Sequence, residues 1–162
     1  MARSRAVLVA CATVLAGAAV GWWSGGEPAT YSALVIETID GDTIVVRFAD
    51  DSTETVRILG VDTPETVHPT IGVECFGPEA KAATHDRLLG ARVRLELDLE
   101  HRDRYGRLLA HVWLDGELYG ETLLRDGLAE WYVLPPNGLH QRSMLRAELA
   151  ARAAGRGMWV AC

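Results

Sequence analysis

Residues 33–61 have the sequence ALVIETIDGDTIVVRFADDSTETVRILGV, which carries the strongest structural signals of the chain. Runs rich in aliphatic and β-branched residues alternate with short clusters of aspartate, glycine and serine, a pattern typical of strands joined by tight turns. A turn is predicted at Asp40-Gly41, because Asp-Gly is a strong hairpin signal. A second turn is predicted at Asp50-Asp51-Ser52, because aspartate and serine are common turn residues. The strands are predicted at Ala33–Ile39, Thr43–Phe48 and Glu54–Val61. The stretch therefore predicts a three-stranded meander.

The chain beyond this meander predicts a long connection, helices and two further strands. The connection from Asp62 to Gly77 contains Pro64, Pro69 and Gly72 and should be irregular. Pro78 is suited to the first turn of a helix, which Gly90 would end. The later elements are predicted as strands at Arg92–Glu100 and Arg107–Leu114, helices at Tyr119–Gly127 and His140–Ala154, and a loop at Pro135–Gly138.

The order of these elements predicts the fold class. The chain has 162 residues, of which 49% are hydrophobic, so one domain of ordinary size with a sizeable core is expected. Five strands, with helices after the third strand and at the end, fit an α+β, mainly β domain. We expect a five-stranded OB-fold barrel with about three helices, although periodicity alone leaves other α+β arrangements open.

The N-terminal residues differ from the rest of the chain. Arg3 and Arg5 precede an uncharged apolar run, Ala6–Trp23. This pattern predicts that residues 1–23 are a signal peptide or an N-terminal membrane anchor, residues 24–30 a flexible linker and residues 31–162 the folded domain. Lipidation of Cys11 is a third alternative, and a buried helix of the domain a fourth. The first alternative makes the protein secreted, and the second leaves it membrane-anchored, facing outside the cytoplasm.

Charge and cysteine content add two expectations. The formal net charge is -6, and cleavage that removes Arg3 and Arg5 would take it from -6 to -8. Proteins that bind phosphate polymers are usually basic, so bulk charge argues weakly against a nucleic-acid enzyme. Cys75 and Cys162 form an even pair outside the N-terminal segment, which indicates a disulfide in an exported protein, with two free thiols as the alternative.

Three acidic residues follow strand ends. Asp42 leaves the first hairpin turn, and Asp62 and Glu65 lie where the third predicted strand enters the long connection. Clustered carboxylates repel one another, so one would take up a proton unless a cation joined them. Ca²⁺ tolerates the irregular geometry of loops, whereas Mg²⁺ and Mn²⁺ remain alternatives. Ordinary turn chemistry is the simpler explanation of each residue taken alone.

Two arginines accompany these acids. Arg57 lies in the middle of the third predicted strand, and Arg107 follows a Tyr-Gly turn. A solvent-facing strand residue and a surface hairpin charge are the simpler explanations. Two guanidinium groups beside a cation would instead form a phosphate clamp, because arginine donates paired hydrogen bonds to phosphate oxygens and stays charged.

The ordered motifs of the chain resemble the staphylococcal nuclease (thermonuclease) family, with an SNase-like domain from about Tyr31 to Trp159. The resemblance is carried by Ile39-Asp40-Gly41-Asp42-Thr43, by Arg57 followed by Val61-Asp62-Thr63-Pro64-Glu65, by Gly77-Pro78-Glu79-Ala80, and by Asp103-Arg104-Tyr105-Gly106-Arg107. It implies a five-stranded barrel with three helices that uses one Ca²⁺ per domain. It also implies hydrolysis of DNA and RNA by in-line attack of water, release of the 5′-oxygen and products with 3′-phosphates.

The resemblance implies a role for each matched residue. Asp42 and Asp62 correspond to carboxylate ligands of the cation, and Thr63 to a residue that supplies its backbone carbonyl. Glu65 corresponds to the general base, and Arg57 and Arg107 to the pair that holds the phosphate. The substrate-binding positions of the family correspond to Arg104, Tyr105 and Tyr132 in this chain. A one-residue gap near Tyr132 leaves its correspondence open.

Two other kinds of function are weighed against a secreted nuclease. A non-catalytic OB-fold module that binds nucleic acid or protein would be expected to lack an acid or an arginine, whereas every matched position is filled. An envelope factor without a nucleic-acid role rests only on the N-terminus and the acidic charge. The histidines do not combine with the cysteines at zinc-site spacing. We expect a monomer with DNA and RNA as substrates.

Overall fold

The predicted meander forms three antiparallel strands in the computed structural model, which describes residues 28–66 and 72–162. Residues of β2 pair with residues of β3 in register, so that Ile44 lies opposite Val56 and both side chains are buried in the barrel. The chain turns after β3 and continues as the short strand β4. The bounds are Thr30–Thr38 for β1, Thr43–Arg47 for β2, Thr53–Ile58 for β3 and Val61–Asp62 for β4.

Two later strands close the sheet into a barrel. Strand β5, Arg92–Glu96, pairs antiparallel with β1, and β6, Leu108–Leu114, pairs antiparallel with β5. Strand β6 also pairs in parallel with β3, where Arg57 lies opposite Leu109. The result is a closed, mixed five-stranded barrel with the strand order β3-β2-β1-β5-β6. The predicted α+β OB-fold barrel is confirmed.

The helices cover the barrel and hold the first hairpin turn in place. Two short strands accompany them: β7 at Glu117–Leu118 and β8 at Glu130–Trp131. The helices are α1 at Gly77–Leu88, α2 at Tyr119–Asp126, α3 at Gln141–Ala153 and the four-residue α4 at Met158–Ala161. The Thr84 hydroxyl of α1 donates a 2.6 Å hydrogen bond to the carbonyl of Gly41 and accepts one from the buried Tyr119 of α2 at 3.0 Å. Two helices therefore fix the turn that carries the first acidic residues.

Two predicted strand boundaries are wrong. The strand predicted at Arg92–Glu100 ends at Glu96, because the Asp98 carboxylate accepts the backbone N–H groups of Gly138 and Leu139 at 2.5 and 2.8 Å and draws the chain away from the sheet. The strand predicted at Glu54–Val61 is broken at Gly60. This glycine has φ +83°, and Met144 packs where a side chain would stand.

The N-terminal predictions fall mostly outside the described residues. Residues 1–23, predicted as a signal peptide or anchor, and residues 24–27 of the predicted linker are not described, and β1 begins at Thr30. Residues 67–71 of the predicted connection are likewise outside. Within residues 28–66 and 72–162, no helix combines the length and apolar character needed to span a membrane.

Candidate active site

The first hairpin turn presents a buried carboxylate to the end of β4. Asp42 is 7% exposed, and its carboxylate accepts hydrogen bonds from the Thr43 hydroxyl at 2.9 Å and from the Thr63 backbone N–H at 3.1 Å. Gly41 lets the two segments approach, because a Cβ atom there would lie 2.7 Å from the Thr63 hydroxyl oxygen. The turn and the residue after β4 are thus packed into one rigid unit.

Arg57 lies between the two predicted aspartate ligands. Its Nη2 atom is 3.1 Å from Asp42 Oδ2 and 2.7 Å from Asp62 Oδ1, and the side chain is only 12% exposed. Its Nη1 atom donates to the carbonyls of Ile58 and Val61, both at 2.7 Å. These four contacts fix the guanidinium group, so Arg57 is not a solvent-facing strand residue. Its charge offsets part of the repulsion between the two carboxylates.

Glu65 lies beside the same acids. Partial removal from water, a hydrogen bond with Asp40 and the charges of Asp40, Asp42 and Asp62 raise the pKa of Glu65 to about 7. Burial also raises the pKa of Asp62, against the lowering effect of Arg57. The site therefore holds more negative charge than Arg57 neutralises.

Arg107 is linked to Asp42 through the Thr43 hydroxyl. Its Nη1 atom is 3.4 Å from the Thr43 hydroxyl, which itself donates to Asp42. Asp103 aims the arginine by accepting from its Nε at 2.7 Å and its backbone N–H at 2.9 Å. Burial alone would raise the pKa of Asp103, but the hydrogen bonds from Arg107 and from the Tyr105 backbone hold that pKa below its usual value.

A cleft of about 490 Å³ joins these residues to the predicted substrate-binding positions. Arg57, Asp62 and Arg107 line it, together with Arg104, Tyr105 and Tyr132. The guanidinium carbons of Arg104 and Arg107 lie 4.7 and 5.5 Å from the Tyr105 ring centroid, and the Arg104 Nη2 donates to the Tyr105 hydroxyl at 2.6 Å. Tyr105 is 68% exposed and Tyr132 48% exposed. Three arginines and two exposed tyrosines therefore share the cleft with the carboxylates of Asp62, Glu100 and Asp103.

The oxygen atoms offered by Asp42, Asp62 and Thr63 fit a hard divalent cation. Among residues 28–66 and 72–162, no three His, Cys, Asp or Glu side chains converge in a geometry that would hold an ion by side chains alone. Asp42 and Asp62 provide two carboxylates, and the third expected donor, at Thr63, is a backbone carbonyl. All of these donors are oxygen atoms, as Ca²⁺ and Mg²⁺ prefer. The raised pKa values of Asp62 and Glu65 mark the position where added positive charge would be favoured.

Comparison with known proteins assigns this arrangement to a family. The family profile described as "Staphylococcal nuclease homologue" matches residues 55–161. The thermonuclease of Staphylococcus hyicus is 41% identical over 136 residues, which cover 84% of this chain and 79% of that protein. The thermonuclease of Staphylococcus intermedius is 42% identical over 128 residues, 79% of this chain and 76% of that protein. The chain belongs to the staphylococcal nuclease family.

The chain is also similar to the endonuclease YncB of Bacillus subtilis (strain 168), which is 46% identical over 101 residues, 61% of this chain and 47% of that protein. Together with the family match, the thermonucleases and this endonuclease establish the chain as a nuclease, a hydrolase whose substrate is nucleic acid.

Sequence reasoning for this nuclease domain missed several residues around the site. Asp103 and Thr43 stand inside the quoted motifs, but only the folded geometry reveals that they aim Arg107. Asp40 looked like turn chemistry, yet its carboxylate lies against Glu65. Glu74 carried no signal in the sequence. Its carboxylate accepts the Glu65 backbone N–H at 2.9 Å.

The predicted pair of cysteines is bonded in the structure. Cys75 and Cys162 form a disulfide, with their Cα atoms 6.0 Å apart. The bond joins the residue before Phe76, at the start of α1, to the end of the chain after α4. It therefore connects the segment that follows the acidic site to the C-terminal helices of this staphylococcal nuclease homologue.

Proposed function

We propose that this nuclease is an exported enzyme that uses one Ca²⁺ to hydrolyse phosphodiester bonds within and at the ends of DNA and RNA. The observation that carries the proposal is the grouping of three acids and two arginines. Arg57 contacts both Asp42 and Asp62, and Arg107 reaches Asp42 through Thr43. Glu65 lies near enough for the charges of Asp42 and Asp62 to raise its pKa. This is the arrangement that phosphoryl transfer needs, because the chemistry depends on positioning and charge stabilisation.

Asp42, Asp62 and the backbone carbonyl of Thr63 would hold the cation in this proposal. When bound, the cation supplies positive charge next to the phosphate oxygens and so favours the charge that develops during hydrolysis. The excess negative charge around Asp62 and Glu65 supports a divalent ion at this position. Ca²⁺ is preferred because its coordination tolerates a mixture of side-chain and backbone oxygens on irregular segments.

Glu65 acts as the general base. It accepts a proton from the attacking water. Arg57 and Arg107 donate hydrogen bonds to the phosphate oxygens and stabilise the five-coordinate transition state. The 5′-oxygen leaves, and the product keeps a 3′-phosphate. The nucleotide is bound in the cleft by Arg104, Tyr105 and Tyr132, which line it.

Export is supported by two features of the chain. Arg3, Arg5 and the apolar run Ala6–Trp23 have the composition of a signal peptide, with a membrane anchor as the alternative. The Cys75–Cys162 disulfide is of a kind that persists outside the reducing cytoplasm. The enzyme acts as a monomer in this proposal.

The proposal is tested by cleavage of labelled DNA and RNA oligonucleotides with the purified protein in Ca²⁺ or in chelator. Glu65→Gln should lower kcat by between about 10² and 10⁴, the contribution of a positioned general base. The exposed Glu79 gives a matched control, because Glu79→Gln makes the same chemical change outside the site and should leave kcat unchanged.

Three outcomes of this assay count against the proposal. Equal cleavage rates in Ca²⁺ and in chelator would exclude a role for the cation. Products with 5′-phosphates would exclude loss of the 5′-oxygen. Binding of both nucleic acids without cleavage would contradict the general base and the arginine pair.

A further inference from the structure

The side chain and the backbone of Glu74 both form hydrogen bonds with the backbone of Glu65. The Glu65 N–H donates to the Glu74 carboxylate at 2.9 Å, and the Glu74 N–H donates to the Glu65 carbonyl at 2.9 Å. Gly77 packs against the same carbonyl, since a Cβ atom at Gly77 would lie 2.8 Å from it. The backbone direction at Glu65, and with it the direction of its side chain, is therefore set by residues 74–77.

Residues 74–77 are tied to the far end of the chain by the disulfide. Cys75 follows Glu74 and is bonded to Cys162, 87 positions later in the sequence. The partner segment is well anchored. The backbone N–H of Met158 donates to the carbonyl of Gly127 at 2.9 Å, and the Met158 side chain is 7% exposed. The disulfide therefore joins Cys75, the residue after Glu74, to an anchored part of the domain.

The tie opposes an electrostatic repulsion. Glu74 lines a cleft of about 460 Å³ with Asp62 and Glu130, beside the disulfide. The negative charges of these carboxylates repel one another. The hydrogen bond to Glu65 and the neighbouring disulfide oppose the movement of Glu74 away from them.

We propose that Glu74 is a positioning residue for Glu65 and that the Cys75–Cys162 disulfide keeps Glu74 in place, so that full activity requires the oxidised protein. The proposal rests on the proposed role of Glu65 as the general base. Reduction by dithiothreitol breaks the S–S bond and leaves two thiols. The reagent supplies the two electrons and two protons and is oxidised to its cyclic disulfide.

The hydrogen bond is tested by steady-state kinetics on a DNA oligonucleotide in Ca²⁺. Glu74→Ala removes the acceptor and should lower kcat by between about ten-fold and a hundred-fold, as misplacement of a catalytic group does, with KM within about two-fold. Glu74→Gln keeps an amide oxygen that accepts the same N–H, so it should stay within about three-fold of the unchanged protein. Glu79→Ala is the control and should have no effect.

The disulfide is tested by the same assay with and without dithiothreitol, below the melting temperature of both forms. Reduction should lower kcat by a factor similar to that of Glu74→Ala. In the Glu74→Ala variant, reduction should add less than about two-fold, because two changes that act through one contact are not additive. The double variant Cys75→Ser/Cys162→Ser should have the kcat of the reduced protein, and dithiothreitol should not change it.

Each remaining outcome overturns a defined statement. Unchanged kcat in Glu74→Ala, or equal losses in Glu74→Ala and Glu74→Gln, would remove the positioning role. If the losses of kcat caused by reduction and by Glu74→Ala are fully additive, the disulfide does not act through Glu74. If Glu74→Ala does not fold, the oxidised and reduced forms of the unchanged protein decide, and equal kcat values refute the proposal. If Glu65→Gln retains full activity, the proposed function itself fails.

Discussion

Reduction of the Cys75–Cys162 disulfide should lower the free energy of unfolding by about 4–5 kcal/mol. The two cysteines are 87 positions apart, so the bond closes a long loop in the unfolded chain. In the chain-entropy treatment, a loop of this length removes about 15 cal/mol/K from the unfolded state, which is about 4.6 kcal/mol at 25 °C. Single domains have a total stability of about 5–15 kcal/mol, so the bond would supply a large fraction.

The prediction is measured by urea titration followed by tryptophan fluorescence, with and without reductant. With a slope of about 2 kcal/mol/M, the midpoint should fall by roughly 2 M urea on reduction. Cys75→Ala/Cys162→Ala should unfold at the lower midpoint and not respond to reductant, which also controls for Cys11. A loss below about 1 kcal/mol would refute the loop-entropy reasoning, because the unfolded chain would then gain little freedom on reduction.

Three further changes probe the site and the core. Gly41→Ala should destabilise the fold by about 1–3 kcal/mol and weaken Ca²⁺ binding in calorimetry, because the new methyl group would lie 2.7 Å from the Thr63 hydroxyl; unchanged binding would contradict this packing. Asp103→Ala frees the Arg107 guanidinium and should lower the single-turnover cleavage rate by about ten-fold to a hundred-fold, whereas an unchanged rate would show that Asp103 does not aim it. Burial, together with the nearby charge of His140, lowers the pKa of His111 from 6.5 to about 4. The unfolded chain therefore binds more protons between these pH values, so stability should fall by about 3 kcal/mol as pH drops from 6.5 to 4, and His111→Leu should flatten that slope in urea titrations.

Local signals were enough to predict the barrel strands and the residues that carry the motifs. Asp40-Gly41 gave the hairpin turn, and Pro78 and Gly90 bracketed α1 closely. These signals work because turn and helix-end preferences depend on the backbone of a few neighbouring residues. In β2 the buried residues Ile44 and Val46 are two positions apart, which is the spacing of side chains on one face of a strand.

Features that depend on distant contacts could not be predicted. The parallel pairing of β3 with β6 joins strands about fifty residues apart, and no local pattern encodes it. Leu99 continued an apolar alternation but is 74% exposed, because Asp98 bonds the loop at residues 138–139 instead of continuing β5. Glu74 resembles any surface acid until folding brings it to Glu65. Glu65 and Glu74 are nine positions apart in an irregular segment, so their spacing in the sequence does not predict the contact.

A crystal structure of the protein with Ca²⁺ and a short oligonucleotide that resists hydrolysis would show directly whether the acids and arginines act on one phosphate. One ion is expected on the carboxylates of Asp42 and Asp62, and a single phosphate should be bonded to both Arg57 and Arg107. The Glu65 carboxylate should lie on the side where water attacks. An ion bound elsewhere, or a phosphate that reaches only one of the two arginines, would contradict this arrangement.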